Sequence, residues 1–356
     1  MIQSIVFRAE ASNQLGLGHM FRCLNFVRSL DMEINPCFVM KECQGKEKII
    51  QVLTDHNWKV YFLPQATDLE SDAVQTAKIA EHSNAGLVVT DLCHRYCIET
   101  PDSLVTYHRN LKKLVNAFVL SIEDCRMSGF SSNAAIIWNS NNTSVVKAGA
   151  LDDCRILAGT RYFICDPKFS SFDPKQLQIR ETANRILVCI GGSDPNKITL
   201  KVLKAIKKIG NPAIKARVIT GSGMSVILTE NIDQLAGSAD NIEIIRQTNS
   251  MIDLLTWADI AVVGEGLLKY EAAITGTPSL MIPQFDHNST PIVEFLKIGC
   301  SQCINTIRGT DIAAVLSGLL TNYETRRTMS ANGLRAVDGK GMQRIYSSVL
   351  KKLVKC

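Results

Sequence analysis

The sequence predicts an α/β protein with two doubly wound halves, each a parallel sheet with helices on both faces. Short apolar runs alternate with segments of helical periodicity, and strands separated by helices are typical of parallel βαβ units. The alternation restarts after a polar, proline-containing stretch, and 356 residues are enough for two cores. We therefore predict a first domain at 1–165, a linker at 166–182, a second domain at 183–320, and C-terminal helices at 321–356 that pack across the domain junction.

The first half begins with the apolar run SIVFRA at 4–9, which predicts a buried strand. Further strands are predicted at NPCFVM, KVYFL, GLVVTDL, AFVLSIED and AAIIWN. Helical periodicity between these runs predicts helices at 18–30, 45–56, 70–84 and 102–114.

The second half repeats this pattern, starting from the run RILVCIGG. Further strands are predicted at KARVITG, NIEIIRQ, DIAVVGEG and PSLMIPQF, and helices at DPNKITLKVLKAIKKIG, SMIDLLTWA and LLKYEAAITG. Ligands of open α/β sheets bind beyond the carboxyl ends of the strands. We therefore expect two such sheets to face each other across a cleft, with function in the turns that follow the strands.

The first informative turn is LGLGHM, which joins the first strand to the first helix. Gly16 and Gly18 allow close approach and leave amides at a helix N-terminus, where an anion is favoured. The same helix end disfavours the charged form of His19, which suits a general base. A tight turn capped by a histidine fits the same residues.

Two later turns repeat the glycine signal. Gly191 and Gly192 follow an apolar strand, and the Ser-Asp-Pro sequence after them is typical of a helix cap. Gly264 and Gly266 flank another strand-to-helix turn, and Glu271 lies about one helical turn further on. Capping explains the polar residues, whereas paired glycines after a strand would also let a diphosphate approach the backbone.

Composition limits the classes of partner. The net charge of +5 is small and no block of like charges occurs, so no nucleic-acid partner is predicted. No stretch approaches the roughly 20 apolar residues of a membrane span, and the N-terminus lacks a signal peptide, which predicts a cytoplasmic protein. The twelve cysteines are scattered with one CxxC pair, Cys300 and Cys303, so no metal site is expected. His56, His82 and His108 are expected on the surface.

Four segments carry a resemblance to a known family: RAEASNQLGLGHMFR, GTRYFICDPKF, GGSDPNKIT and TWADIAVVGEGLLKYEAAITGTPSLMIP. In this order they resemble the GT-B superfamily of nucleotide-sugar enzymes, and within it the PseG-like UDP-sugar hydrolases of pseudaminic acid biosynthesis. The resemblance implies a GT-B fold and hydrolysis of a UDP-linked, N-acetylated deoxyamino sugar for a bacterial surface glycan. In that family water attacks the anomeric carbon with inversion, and neither a metal nor another cofactor takes part.

The resemblance also assigns roles to residues. His19 falls on the catalytic base, and Asp91 and His287 are the other catalytic candidates. Glu271 would bind the ribose and the backbone near Thr248 the uracil. The remaining candidates for the nucleotide, mainly around its diphosphate, are Gly191, Gly192, Ser193, Gly264, Gly266 and Leu267. The candidates for the sugar are Gly16, Gly18, Asn139, Tyr162 and Asn288.

Two departures from the family pattern leave the function open. Cys93 stands where the family has a tyrosine, and His287-Asn288 stands where it has Asn-Gln. A GT-B glycosyltransferase that uses a UDP- or CMP-sugar and a glycan acceptor is therefore the first alternative, and a non-catalytic nucleotide-sugar binding protein is the second. A monomer or weak dimer is expected.

Overall fold

The computed structural model describes residues 3–11, 18–30, 33–43, 46–92, 102–122, 129–140, 142–221, 223–237, 239–246, 248, 250–284, 289–304 and 311–354. The chain divides into two compact units, one formed by 1–167 with 340–356 and the other by 168–339. Each unit holds one parallel sheet, and the predicted α/β class is confirmed.

The sheet of the first unit has seven parallel strands in the order β3-β2-β1-β4-β5-β6-β7. The strands are β1 Ser4–Ala9, β2 Asn35–Lys41, β3 Lys59–Leu63, β4 Leu87–Asp91, β5 Phe118–Ile122, β6 Ala134–Ile137 and β7 Arg155–Ala158. The helices are α1 Gly18–Arg28, α2 Lys46–Thr54, α3 Leu69–His82, α4 Ser103–Leu114 and α5 Thr143–Ala148, followed by a 3-10 turn Thr160–Tyr162. The short helix α6 Pro167–Ser170 begins at the last residue of the segment 1–167 and continues into the second unit.

The chain leaves β1 toward one edge of this sheet and leaves β4 toward the other. The strand order therefore reverses between these two neighbours, and such a reversal opens a crevice at the carboxyl ends of the strands. All six residues of β1 are buried, and the Phe7 ring stacks on that of Phe38 with centroids 5.2 Å apart. Packing thus fixes the strand that leads to His19.

A buried ion pair also anchors β1. Arg8 is fully buried, and its Nη2 donates to Asp72 Oδ2 on α3 at 2.7 Å and to Glu10 Oε1 at 2.6 Å. Tyr107 Oη donates to Asp72 Oδ1 at 3.1 Å. Burial alone would lower the pKa of Arg8, but Asp72 and Glu10 raise it above its ordinary value. The charged network joins β1 to the helices on one face of the sheet.

The sheet of the second unit has six parallel strands in the order β10-β9-β8-β11-β12-β13. The strands are β8 Arg185–Cys189, β9 Lys215–Ile219, β10 Ile242–Ile245, β11 Ile260–Val263, β12 Ser279–Met281 and β13 Ser301–Cys303. The helices are α7 Ile198–Ile209, α8 Val226–Gly237, α9 Met251–Trp257, α10 Leu268–Ile274, α11 Thr290–Leu296, α12 Ile312–Thr321 and α13 Tyr323–Ala336. Here the order reverses between β8 and β11.

The C-terminal helices are divided between the units. On α13, the buried Arg326 donates to the carbonyls of Arg180 and Glu181 at 2.8 Å, so most of the predicted linker packs within the second unit. The last helices are α14 Gly341–Ile345, a π-helical turn Tyr346–Leu350 and α15 Lys351–Val354. They belong to the first unit, where Arg344 Nη1 donates to the carbonyl of Arg161 at 2.9 Å.

These boundaries differ from the predicted ones at 166–182 and 321–356. Six of the described strands and helices also lie outside the sequence predictions, namely α5, β7, α6, α8, α11 and β13. Among the described residues, no helix combines the length and apolar character that a bilayer span requires.

Candidate active site

His19 and Asp91 meet at the switch point of the first sheet. His19 is the second residue of α1, which follows β1, and Asp91 is the last residue of β4. His19 Nδ1 lies 2.7 Å from Asp91 Oδ1. The His19 side chain is 19% exposed, whereas Asp91 is fully buried. A buried carboxylate on one ring nitrogen and partial exposure of the ring are what a general base needs.

Arg22 is the third member of this cluster. It lies one turn after His19 on α1, and its Nε donates to Asp91 Oδ2 at 2.5 Å while its Nη2 donates to Oδ1. Burial would raise the pKa of Asp91, but Arg22, with a smaller contribution from His19, lowers it below the ordinary value. Asp91 is therefore ionised at neutral pH, and burial and Asp91 raise the pKa of the neighbouring Cys23 thiol well above its usual value.

An aromatic wall lies beside the guanidinium. The Arg22 guanidinium carbon lies 4.9 Å from the centroid of Trp138, the residue that follows β6. The Trp138 ring packs edge-on against Phe163, with centroids 5.6 Å apart. Two sugar candidates are chain neighbours of this pair, because the half-buried Asn139 follows Trp138 and the half-buried Tyr162 precedes Phe163.

Arg22 and Trp138 were not among the predicted site residues. The signal for Arg22 was the three-residue spacing from His19, which places both side chains on one face of a helix. Trp138 gave a weaker signal, because a tryptophan that ends an apolar run is also a core residue.

Other predicted residues of this unit have different outcomes. Gly18 opens α1, whereas Gly16 and Cys93 lie outside the described residues. The expected surface position of His108 is wrong. Its ring is buried, Nε2 lies 2.8 Å from Thr90 Oγ1, and burial lowers its pKa to about 3.

The second switch point contains the two predicted glycine turns. Gly191, after β8, has a φ of +132°, which favours glycine. Gly264, after β11, lies so close to β8 that an added Cβ would be 2.2 Å from the carbonyl oxygen of Ile190. Around Gly192 and Gly266, by contrast, no heavy atom of the described chain lies within 4 Å of an added Cβ. Gly191 and Gly264 are therefore needed for the backbone of the two turns, whereas Gly192 and Gly266 border open space.

Asp194 caps α7. Its Oδ1 accepts from the amide of Ile198 and its Oδ2 from that of Thr199, both at 2.8 Å. These first-turn amides are therefore already used by a carboxylate. An anion at this turn would have to contact the backbone of 191–193.

Gln284 connects the loops that follow β8, β11 and β12. Its side-chain Nε2 donates to Asp194 Oδ1 at 2.7 Å, and its backbone N–H donates to Glu265 Oε2 at 2.9 Å. Asn196 Nδ2 donates to the Gln284 carbonyl oxygen. These bonds hold the two glycine turns in a fixed relation.

The segment after Gly266 carries two charged side chains. The buried Lys269 donates to the carbonyl oxygen of Gly266 at 3.1 Å. Glu271 is half-buried on α10. Burial chiefly, and the charge of Glu271 to a smaller extent, raise the pKa of the thiol of Cys189, the last residue of β8, to about 12. Glu271 therefore acts electrostatically on the end of the strand that leads into the Gly191 turn.

The remaining nucleotide and catalytic candidates are less central. Ser193 is half-buried in the first turn, and Leu267 immediately precedes α10. Thr248 follows β10, two strands away from β8, and its Oγ1 accepts from the amide of Ser250 at 3.1 Å. His287 and Asn288 lie outside the described residues.

Substitution at Gly264 tests whether this glycine is required for the packing of β11 against the end of β8. Gly264→Ala places a methyl group against a backbone oxygen, so β11 and β8 must move apart, at a cost of about 1–3 kcal/mol. Gly266→Ala is the matched control, since its methyl group enters open space. Thermal unfolding should show a lower Tm for Gly264→Ala alone, and equal Tm values for the two variants would contradict the described packing.

The comparisons with known proteins agree with this architecture. No protein-family model matches the chain. The spore coat polysaccharide biosynthesis protein SpsG of Bacillus subtilis (strain 168) is 23% identical over 349 residues, which span 97% of both chains. Acinetobacter baumannii MurG superposes with a TM-score of 0.66 at 14% identity, covering 98% of this chain and 99% of MurG. The chain has the GT-B fold.

Two further solved structures share this fold. Staphylococcus aureus MnaA, solved with UDP, gives a TM-score of 0.65 at 14% identity, covering 100% of this chain and 98% of MnaA. The kitacinnamycin glycotransferase gives a TM-score of 0.65 at 12% identity and covers 99% of both chains. At these identities the likeness concerns the fold.

Proposed function

We propose that the protein is a nucleotide-sugar enzyme of bacterial polysaccharide biosynthesis that hydrolyses a UDP-linked, N-acetylated deoxyamino sugar. The observation that carries the proposal is the contact of His19 with the buried, ionised Asp91 at a switch point. In the proposed reaction a protonated His19 Nδ1 donates a hydrogen bond to Asp91, which leaves the basic lone pair on Nε2. The relation to SpsG, a polysaccharide biosynthesis protein, supports the pathway class.

In the proposed reaction His19 removes a proton from water as the water oxygen attacks the anomeric carbon. The bond between that carbon and the UDP oxygen breaks, and UDP leaves with the bonding electrons. The products are the free sugar with inverted configuration, UDP and one proton. His19 contributes general-base catalysis, typically worth 10²–10⁴-fold in rate.

The second unit is assigned to the nucleotide. The open space over Gly192 and Gly266 lets a diphosphate approach the backbone at the turns that Gln284 holds together. Glu271 is assigned to the ribose hydroxyls, the backbone near Thr248 to the uracil, and Leu267 to the phosphate turn. UDP bound to MnaA, which shares this fold, supports a uridine nucleotide.

Glycosyl transfer is the second candidate, since the kitacinnamycin glycotransferase shares the fold over 99% of both chains. In that reaction His19 would deprotonate a sugar hydroxyl of a glycan acceptor. Phosphorus NMR of a panel of UDP- and CMP-sugars, with and without glycan acceptors, separates the two. Nucleotide release in buffer alone supports hydrolysis, release that requires an acceptor supports transfer, and tight binding without release supports a non-catalytic role.

Removal of the Glu271 carboxylate tests the nucleotide assignment. Glu271→Ala should weaken UDP binding by roughly 10–100-fold, because a charged hydrogen bond contributes about 1.5–3 kcal/mol. Glu230→Ala, an exposed position on α8, is the control and should bind UDP like the wild type. Calorimetric titration with UDP measures both, and equal affinity of the Glu271 variant and the wild type would reject the ribose contact.

A further inference from the structure

Arg22, Asp91 and His19 form a triangle whose contacts cannot all be hydrogen bonds at once. His19 Nδ1 lies 2.7 Å from Asp91 Oδ1 and also 2.7 Å from Arg22 Nη2. A guanidinium only donates and a carboxylate only accepts. Nδ1 therefore either carries a proton for Asp91 or accepts one of the protons of Arg22.

The two arrangements give His19 opposite chemistry. With the proton on Nδ1, the lone pair is on Nε2, and the ring can act as a base. With Nδ1 accepting from Arg22, the proton is on Nε2, and the ring can only donate there. The three side chains also determine the net charge of the cluster. Arg22 already neutralises Asp91, so a protonated His19 would add a second, uncompensated positive charge.

We propose that Arg22 is a positioning residue that controls which ring nitrogen of His19 carries a proton and how readily the ring takes up a second one. It thereby sets the pH range in which His19 is a neutral base. This assignment rests on the proposed function for its catalytic meaning. Arg22 occupies both oxygens of Asp91, so it limits the stabilisation that Asp91 gives to a charged imidazole. The Trp138 ring holds the guanidinium in place from the side.

The other groups around the triangle do not replace this role. On α1, Cys23 Sγ lies 3.9 Å from Asp91 Oδ2, and its raised pKa keeps the thiol neutral. On β4, Asp91 is the charged group that faces His19, and Trp138, which follows β6 and lies against Arg22, is uncharged. Among the described side chains in contact with this cluster, Arg22 supplies the permanent positive charge.

The test is a titration of the imidazole nitrogens by long-range ¹H–¹⁵N NMR of the full chain, labelled at histidine. The His19 signals are assigned with a His19→Gln variant among the six histidines. In Arg22→Gln, the midpoint of the His19 titration should rise by about one pH unit or more, because the imidazolium forms beside Asp91 without a competing cation. Arg22→Lys keeps the positive charge, so its His19 midpoint should lie within about 0.5 pH unit of the wild-type midpoint.

An unchanged midpoint of the His19 titration in Arg22→Gln would overturn the proposal, and so would an equal rise in Arg22→Lys. The signals of His108, buried against Thr90 in the same unit, report whether a variant keeps its fold. If Arg22→Gln loses it, Asp91→Asn carries the test. In Asp91→Asn the midpoint of the His19 titration should fall, because no carboxylate then offsets the positive charge of Arg22 beside the imidazole. A rise or no change would reject the assignment.

This readout needs no substrate. A chain that shows the predicted shifts but releases no nucleotide would reject the proposed function and keep the role of Arg22. If the wild type releases nucleotide but the His19 midpoint does not shift in Arg22→Gln, the proposed function is kept and the role of Arg22 is rejected. If both hold, the acid limb of the kcat/KM profile moves to higher pH in Arg22→Gln along with the NMR midpoint.

Discussion

Replacing His19 with alanine should reduce the rate of nucleotide release from a UDP-sugar by roughly 10²–10⁴-fold, the usual contribution of a general base. UDP affinity should stay nearly unchanged, because the nucleotide is assigned to the second unit and His19 lies in the first. Steady-state turnover and calorimetric titration with UDP measure the two effects separately. The expected pattern is a fall in kcat at constant UDP affinity.

His82→Ala is the matched control for this experiment. His82 is an exposed histidine at the end of α3 in the same unit, and its removal should leave kcat and Tm at wild-type values. Wild-type turnover in His19→Ala would show that the base is another group. A parallel loss of UDP affinity would show that His19 binds the nucleotide instead.

The second large effect is expected for Asp91→Asn. The amide of asparagine can donate to His19 Nδ1 and thereby favours the tautomer with its proton on Nε2, which cannot act as a base. A tautomer reversal of this kind lowers turnover by about 10²–10⁴-fold. Asp152→Asn is the control, since Asp152 pairs with Arg109 on the surface of the same unit and should not affect turnover. Turnover of Asp91→Asn within about twofold of the wild type would contradict the dyad.

Asp91 also links stability to pH. Its pKa is lower in the folded chain than in the unfolded chain, so the unfolded chain takes up the proton first as the pH falls. The ion pair therefore stabilises the fold fully above the unfolded pKa of about 3.9 and loses this effect as the pH drops through the folded value. In urea unfolding, the difference in unfolding free energy between the wild type and Asp91→Asn should narrow below about pH 4, where protonation of Asp91 removes the ion pair. A difference that does not narrow below about pH 4 would mean that Asp91 is not paired.

Much of this arrangement could be predicted because parallel strands place their carboxyl ends together. Sequence spacing put Gly18 and His19 after β1, and Gly191 and Gly264 after β8 and β11. The strand order then brought each pair of strands side by side. The contact of His19 with Asp91 spans 72 positions in the chain, yet both residues were candidates, His19 from the turn after β1 and from the family resemblance, and Asp91 from the resemblance.

The rest depended on contacts that local pattern does not encode. Arg22 reads as a surface cation of an amphipathic helix until Asp91 and Trp138 are placed beside it. Gln284 has no motif of its own, and its role comes from three loops that meet only in the folded sheet. His108 was misjudged because its partner, Thr90, belongs to a neighbouring strand.

Short elements gave the weakest signals. β7 and β13 have four and three residues, too few for an alternating pattern to stand out. In α8 the exposed Val226 and Ile227 obscure the apolar stripe. The division of the C-terminal helices between the two units could not be predicted, because it rests on contacts such as that of Arg326 with the carbonyl of Arg180.

The central claim is that His19 and Asp91 direct an oxygen nucleophile at the anomeric carbon of a UDP-sugar. Turnover in H₂¹⁸O, followed by mass spectrometry of the products, tests it most directly. The proposed reaction predicts one ¹⁸O atom in the released sugar and none in UDP, with the label lost in step with turnover in His19→Ala. Label in the terminal phosphate of UDP would mean attack at phosphorus, and would contradict the assignment of His19 to chemistry at the sugar.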